Sequence, residues 1–177
     1  SLALPERHLG LLQAAKGLMD EILNPQMSFD EDTSLLAAET KLAQNAKKIA
    51  LMTLGTAAQK YMMGLSEQQE VLVNCADIIM DAYQMETAIL RAKKYAEKNG
   101  EEAAGRYIDM ASVFCNDAIQ RIDAKAKNTI AAIAEGDEGR TLLVALKRFT
   151  KNNSPVNTIA ARQRIADTMI QANTYVY

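Results

Sequence analysis

VLVNCADIIMDAYQMETAILRAKK, residues 71–94, decides how the whole chain is read. Apolar residues recur at helical spacing and neither glycine nor proline interrupts them, so the stretch predicts a helix. On a wheel at about 100° per residue, Asn74, Asp77, Asp81, Gln84 and Arg91, with the preceding Glu70, share one arc of about 100°. Val71, Leu72, Cys75, Ile78, Ile79, Ala82, Tyr83, Met85, Ile89 and Leu90 fill the rest. The expectation is a helix buried along most of its circumference, its aspartates forming a narrow solvated stripe. Asp77 and Asp81 have the spacing of paired carboxylates. Acid–base chemistry needs a desolvated pocket, however, and a wet stripe does not supply one.

Glu86 stands apart, falling in the middle of the apolar arc between Cys75, Ile79, Tyr83 and Leu90. A lone buried carboxylate is costly, so Glu86 is expected to be paired, hydrogen-bonded or protonated. Antiparallel register sets it opposite the region of Lys47. A buried polar tie is the favoured reading over a catalytic base, because no nucleophile or substrate-gripping group is evident beside it. An interface or interdomain contact is the alternative.

The composition around this stretch points the same way. The chain has 177 residues, 49% hydrophobic and 5% aromatic, with no tryptophan, 8 glycines and 3 prolines. Alanine, leucine, isoleucine, methionine, glutamine, glutamate and lysine dominate, most of them strong helix formers. At this size folding hides roughly 70% of the unfolded chain's surface, so a core forms without disulfides or metals. A net charge of −2 argues against a nucleic-acid partner. Cys75 and Cys115 form neither a disulfide framework nor a paired-cysteine metal motif, and both sit among apolar residues as small hydrophobes. With no signal peptide and no long uncharged apolar run, a soluble cytoplasmic protein is expected.

Six helices are expected, over about residues 5–23, 34–63, 67–98, 101–135, 138–150 and 158–173. Pro5 suits the first turn of the first, whose seam is Leu9, Leu12, Ala15, Met19 and Leu23, and Asn24-Pro25 stops it. The second carries Leu35, Leu42, Ala46, Ile49, Ala50, Thr53, Ala57 and Tyr61 on one face, with Gly64 as its cap. Ser66 and Gln69 have the capping-box spacing, and Asn99-Gly100 is a C-cap signal. The seam of the fourth runs Ala104, Ile108, Ala111, Cys115, Ala118, Ile119, Ile122, Ala126, Ile130, Ile133. Asn157 can cap the sixth, whose apolar residues are Ile159, Ile165, Met169 and Ile170. Short connections force neighbours antiparallel. The fold class expected is all-α: an up-and-down bundle of three long antiparallel helices with shorter helices packed alongside.

Catalytic signatures are scarce. A di-iron bundle needs two Glu-x-x-His motifs, and His8, expected on the surface, is the one histidine. GxGxxG, P-loop and nucleophile-elbow motifs are absent. Between Glu138 and Asp167 lie six basic residues and no acid. Within that region RTLLVALKRFTK reads as a basic amphipathic helix, with Arg140, Lys147, Arg148 and Lys151 as candidate membrane or partner contacts. The plainer reading docks its leucines on the bundle while its lysines face water.

The run NCADIIMDAYQMETAILRAKK resembles a helix in the C-terminal extension of bacterial acyl-CoA dehydrogenases. AAKGLMDEILNP, KLAQNAKKIALMTLGTAAQKYM, SVFCNDAIQRIDAKAKNTIAAIAEGDEGRTLLVALKRFTK and SPVNTIAARQRIADTMI resemble the same extension, in the same order, so the likeness spans nearly all of the chain. The resemblance implies a single helical domain, residues 1–177, cut from a longer flavoenzyme that desaturates an acyl-CoA thioester through FAD in fatty-acid oxidation. Family catalytic and flavin-binding residues belong to a preceding catalytic unit, and none maps onto this sequence, Glu86 included. The resemblance therefore implies no cofactor in this piece, FAD in the parent, and partners in the parent's catalytic unit and in a homo-oligomer. Its implied role is non-catalytic: structure, assembly or interaction. The alternative is a peripheral membrane or partner-binding module acting through residues 139–151, at the inner membrane in the membrane case.

Overall fold

The computed structural model describes residues 6–23, 33–152 and 155–174, with side chains from residue 13 onward. The expectations for Pro5, His8, Leu9, Leu12 and Asn24-Pro25 fall outside those residues and side chains. Six α-helices follow in order: α1 Glu6–Leu23, α2 Ala37–Tyr61, α3 Gln69–Asn99, α4 Glu101–Ile133, α5 Gly136–Phe149 and α6 Thr158–Ala172. A 3-10 turn, Met62–Glu67, joins α2 to α3. No strand occurs among the described residues. The long helices α2, α3 and α4 have 25, 31 and 33 residues, about 38–50 Å at helical rise.

The three long helices pack on one another around a shared seam. Ile49, Ile78, Met85, Ile122 and Ile130 are fully enclosed there, and Leu142 and Leu146 of α5 close one end. The α4 seam expected from sequence is buried throughout except at Ile108, which is half-buried. Alanines line the same contacts: Ala43 and Ala46 on α2, Ala82 and Ala92 on α3, Ala111, Ala118 and Ala126 on α4. Such small side chains let helix axes approach closely, and the bulkier isoleucines fill the space between.

Shorter helices coat the outside. α1 lies on α2, α5 packs against α2 and α4, and α6 lies on α4. At Gly55 the backbones of α1 and α2 come so near that an added Cβ would stand 2.5 Å from Ala15 Cβ. α3 packs chiefly on α2, α4 and the 3-10 turn.

Helix ends differ from the local signals in two places. α2 stops at Tyr61, not at Gly64, because Met62 takes φ 49° and its amide donates to Ala58 O. Tertiary anchoring accounts for the early stop: Lys60 Nζ and Tyr61 OH both donate to Ala132 O of α4, at 2.9 and 3.1 Å. Ser66 is thereby held inside the 3-10 turn, and α3 begins at Gln69 without a side-chain cap, so the expected capping box does not form. Gly100 ends α3 at φ 88° and ψ 155°, a conformation that glycine adopts without a Cβ clash. Asn157 Oδ1 accepts from Ala160 N at 3.1 Å, the N-cap read from sequence.

Candidate functional site

Ion pairs fasten helix α3 on both flanks. Toward α4, Asp77 meets Lys125 at 2.5 Å, and Asp81 accepts from Arg121 Nη2 at 2.6 Å and Nε at 3.2 Å. The aspartate stripe is thus not a solvated edge. Asp81 is buried, and the stripe forms a line of cross-helix pairs. The hydrogen bond from Arg121 to Asp81 holds that guanidinium's pKa above its ordinary value.

Toward α2, Glu86 pairs with Lys47. The expected burial of Glu86 is wrong: its side chain is 42% exposed. The buried arc of α3 is narrower than the apolar arc of the sequence. Val71, Cys75, Ile78, Ala82, Met85 and Ile89 face the core, whereas Ile79, Tyr83 and Leu90 are exposed. Glu86 therefore stands at the arc's edge beside α2. Two neighbouring long helices enclose one side of α3, and hydrophobicity alone does not tell which side.

A second buried carboxylate is Glu39, 8% exposed like Asp81, which accepts a 2.6 Å hydrogen bond from Ser112 Oγ of α4. Its position four before Ala43 and seven before Ala46 places it on the α2 core face, a periodicity that marks it in the sequence. The neighbouring Thr40 Oγ1 accepts from Lys93 Nζ of α3 at 3.1 Å. Burial pushes the Cys115 thiol up to about 12, with the Glu39 charge adding to the effect. Burial also raises Cys75, partly offset by its hydrogen bond with Thr53. Neither thiol is poised as a nucleophile.

On α5 the apolar side is docked: Leu142, Ala145, Leu146 and Phe149 are buried. Arg140 pairs with Asp137, Lys147 and Lys151 face outward, and Arg148 lies 4.9 Å over the Phe149 ring. Leu143 and Val144 are exposed among these bases. A shallow groove of about 250 Å³ between α1 and α5 is lined by Ile22, Arg140, Val144 and Arg148. A larger one of about 460 Å³, lined by Ala88, Arg91, Tyr107, Phe114 and Ile165, lies between α3, α4 and α6. α6 itself is tied down by Arg164 to Asp109 and Arg162 to Asp117. Among the described residues no cluster of His, Cys, Asp and Glu fits a metal, and no helix is long and apolar enough to cross a membrane.

The family model for the acyl-CoA dehydrogenase C-terminal domain matches residues 45–148. The chain belongs to this family. A probable acyl-CoA dehydrogenase of Bacillus subtilis (strain 168) is 35% identical to this C-terminal domain over 167 residues, 94% of the chain and 28% of that protein. The crystal structure of an acyl-CoA dehydrogenase complexed with FAD from Bacillus anthracis superposes with a TM-score of 0.90 at 37% identity, covering 97% of the chain and 29% of its own. The domain thus spans less than a third of the length of each of these relatives. The antiparallel all-α bundle is the fold of that C-terminal region.

A flavin diphosphate is poorly suited to the N-termini of α2, α3, α4 and α5. Such ends attract anions through free amides and the helix dipole. Here α2 has Glu39 in its first turn, α3 Glu70, α4 Glu101 and Glu102, and α5 Asp137 and Glu138. Carboxylates in the first turn weaken the attraction of these ends for a further anion.

Proposed function

We propose that this domain is a non-catalytic structural and assembly module of an FAD-dependent acyl-CoA dehydrogenase that desaturates acyl-CoA thioesters in fatty-acid oxidation. Residues 1–177 form one helical unit of a longer chain, and the flavin and thioester chemistry lies in the part beyond it. The parent is a cytoplasmic homo-oligomer. One observation carries the reading: five carboxylates between helices are committed to cations. Asp77, Asp81, Glu86, Asp109 and Asp117 each bind a lysine or arginine of another helix. A catalytic acid or base must instead be free to exchange a proton with substrate. Glu86 is a half-exposed clasp between α2 and α3, its carboxylate held by Lys47.

Flavin retention tests this. The purified chain, dialysed against FAD and then freed of excess, is expected to keep no stoichiometric flavin absorbance and to reduce no acceptor dye with acyl-CoA. Retention of one flavin per chain with thioester-dependent dye reduction would refute the reading.

A second reading rests on α5, where Leu143 and Val144 stand exposed beside Arg140 and Lys147. In it the helix touches an anionic surface, that of the inner membrane or of a partner protein, with Arg148 and Lys151 at the margin. Co-sedimentation with anionic liposomes at low salt, lost in an Arg140→Glu/Lys147→Glu/Arg148→Glu chain, would support it. Absence of binding at low salt would remove the membrane form.

A further inference from the structure

The outer side of α3 is apolar where a solvent-facing helix is expected to be polar. From Val73 to Leu90 the outward positions carry Val73, Ala76, Ile79, Met80, Tyr83 and Leu90, all exposed, with Gln84 and Thr87 as polar interruptions. Charge returns at Arg91, Lys94 and Glu97. Ion pairs fence the strip on both sides, Lys47–Glu86 along α2 and Asp77–Lys125 with Asp81–Arg121 along α4. The other two long helices carry short helices on their outer sides, α1 and α5 on α2, α5 and α6 on α4, whereas α3 packs chiefly on its two long neighbours and the 3-10 turn.

We propose that this strip is the surface on which the remaining part of a longer acyl-CoA dehydrogenase chain docks, an inference that rests on the function proposed above. Two observations select that occupant over a second copy of the domain. More than two thirds of each relative's chain lies outside the region matched here, so a large tethered body is available. The strip is also small. Seventeen residues of rise and a third of a helix circumference give roughly 300 Å², against about 800 Å² per partner in a stable bimolecular complex. A covalently linked body acts at an effective concentration on the order of millimolar, so a strip of this size suffices within one chain. The partner surface it fits is uncharged and apolar, since a charge buried against Met80 and Tyr83 would lose its hydration without gaining a counter-ion.

Thiol accessibility tests the assignment, because Cys75 and Cys115 are both buried and give little background. Tyr83→Cys and, separately, Met80→Cys are placed in the 177-residue chain and in the full-length dehydrogenase chain, and maleimide labelling rates are compared. Both cysteines are expected to react at least about tenfold more slowly in the full-length chain, as burial under a docked body requires. Equal rates in the two chains, with FAD bound and thioester oxidation intact in the full-length protein, would overturn the docking surface and leave the proposed function standing. A full-length chain without flavin or activity would overturn the proposed function and, with it, the occupant named here. Protection that appears in the 177-residue chain and grows with its concentration would assign the strip to a second copy and also overturn the proposal.

Discussion

The carboxylate of Asp81 in α3 accepts two hydrogen bonds from the guanidinium of Arg121 in α4, at 2.6 and 3.2 Å, and is buried while doing so. Five residues along the same helix, Glu86 makes a single-point pair with Lys47 and stays 42% exposed. Planar two-point contact with low exposure gives the first pair geometric specificity that the second lacks. Removing Arg121 strands a buried charge, whereas removing Lys47 leaves a carboxylate that water can solvate. Arg121→Ala is accordingly expected to lower unfolding stability by about 2 kcal/mol and Lys47→Ala by about 0.5 kcal/mol or less. Urea denaturation of the two variants checks the ratio, and equal losses would contradict it.

Ser112→Ala tests the deeper polar contact. The hydroxyl supplies the 2.6 Å hydrogen bond to Glu39, which is otherwise enclosed by α2 and α4. Loss of a partner from a buried acceptor costs about 1–3 kcal/mol. The double variant Glu39→Gln/Ser112→Ala is expected to recover part of that loss, because a neutral amide is cheaper to bury than a carboxylate. A double variant less stable than Ser112→Ala alone would count against this account.

Gly55→Ala should act on α1 alone. The new methyl would lie 2.5 Å from Ala15 Cβ, inside any tolerable contact, so α1 must shift off α2. Hydrogen exchange is expected to accelerate along α1 while α3 and α4 keep their protection. Gly55→Ala/Ala15→Gly is expected to restore α1, since it moves the methyl across the interface.

Alkaline pH provides a fourth test through Cys115. Its thiol is raised from an ordinary value of 9.0 to about 12 by burial, so the folded chain keeps it protonated where the unfolded chain ionises. Below pH 9 both states hold the proton and the site contributes no pH dependence. Above pH 9 the unfolded state gains the advantage, and stability falls by up to about 1.4 kcal/mol per pH unit until pH 12. Cys115→Ala is expected to be slightly less stable at pH 8 but to lose less between pH 8 and pH 10, which paired urea titrations measure.

Several of these features were legible in the linear chain. The α4 seam from Ala104 to Ile133 repeats at helical period and is buried except at the half-buried Ile108. The Lys47–Glu86 opposition followed from antiparallel register alone. Glu39 carried a signal in its spacing to Ala43 and Ala46, hidden because one acid among apolar periods is easily assigned to the neighbouring surface. The stop at Tyr61 was illegible, because it depends on Ala132, 71 positions away.

Sequence by itself determined that helices form and roughly where they begin and end, since propensity, capping and period act over a few neighbouring residues. The tertiary structure alone decided which apolar residues of α3 face the core and which face outward. It also decided that Asp81, rather than Glu86, is the buried acid of that helix. The physical reason is that burial depends on how many neighbours surround a helix, and α3 has long helices on one side and an open apolar strip on the other.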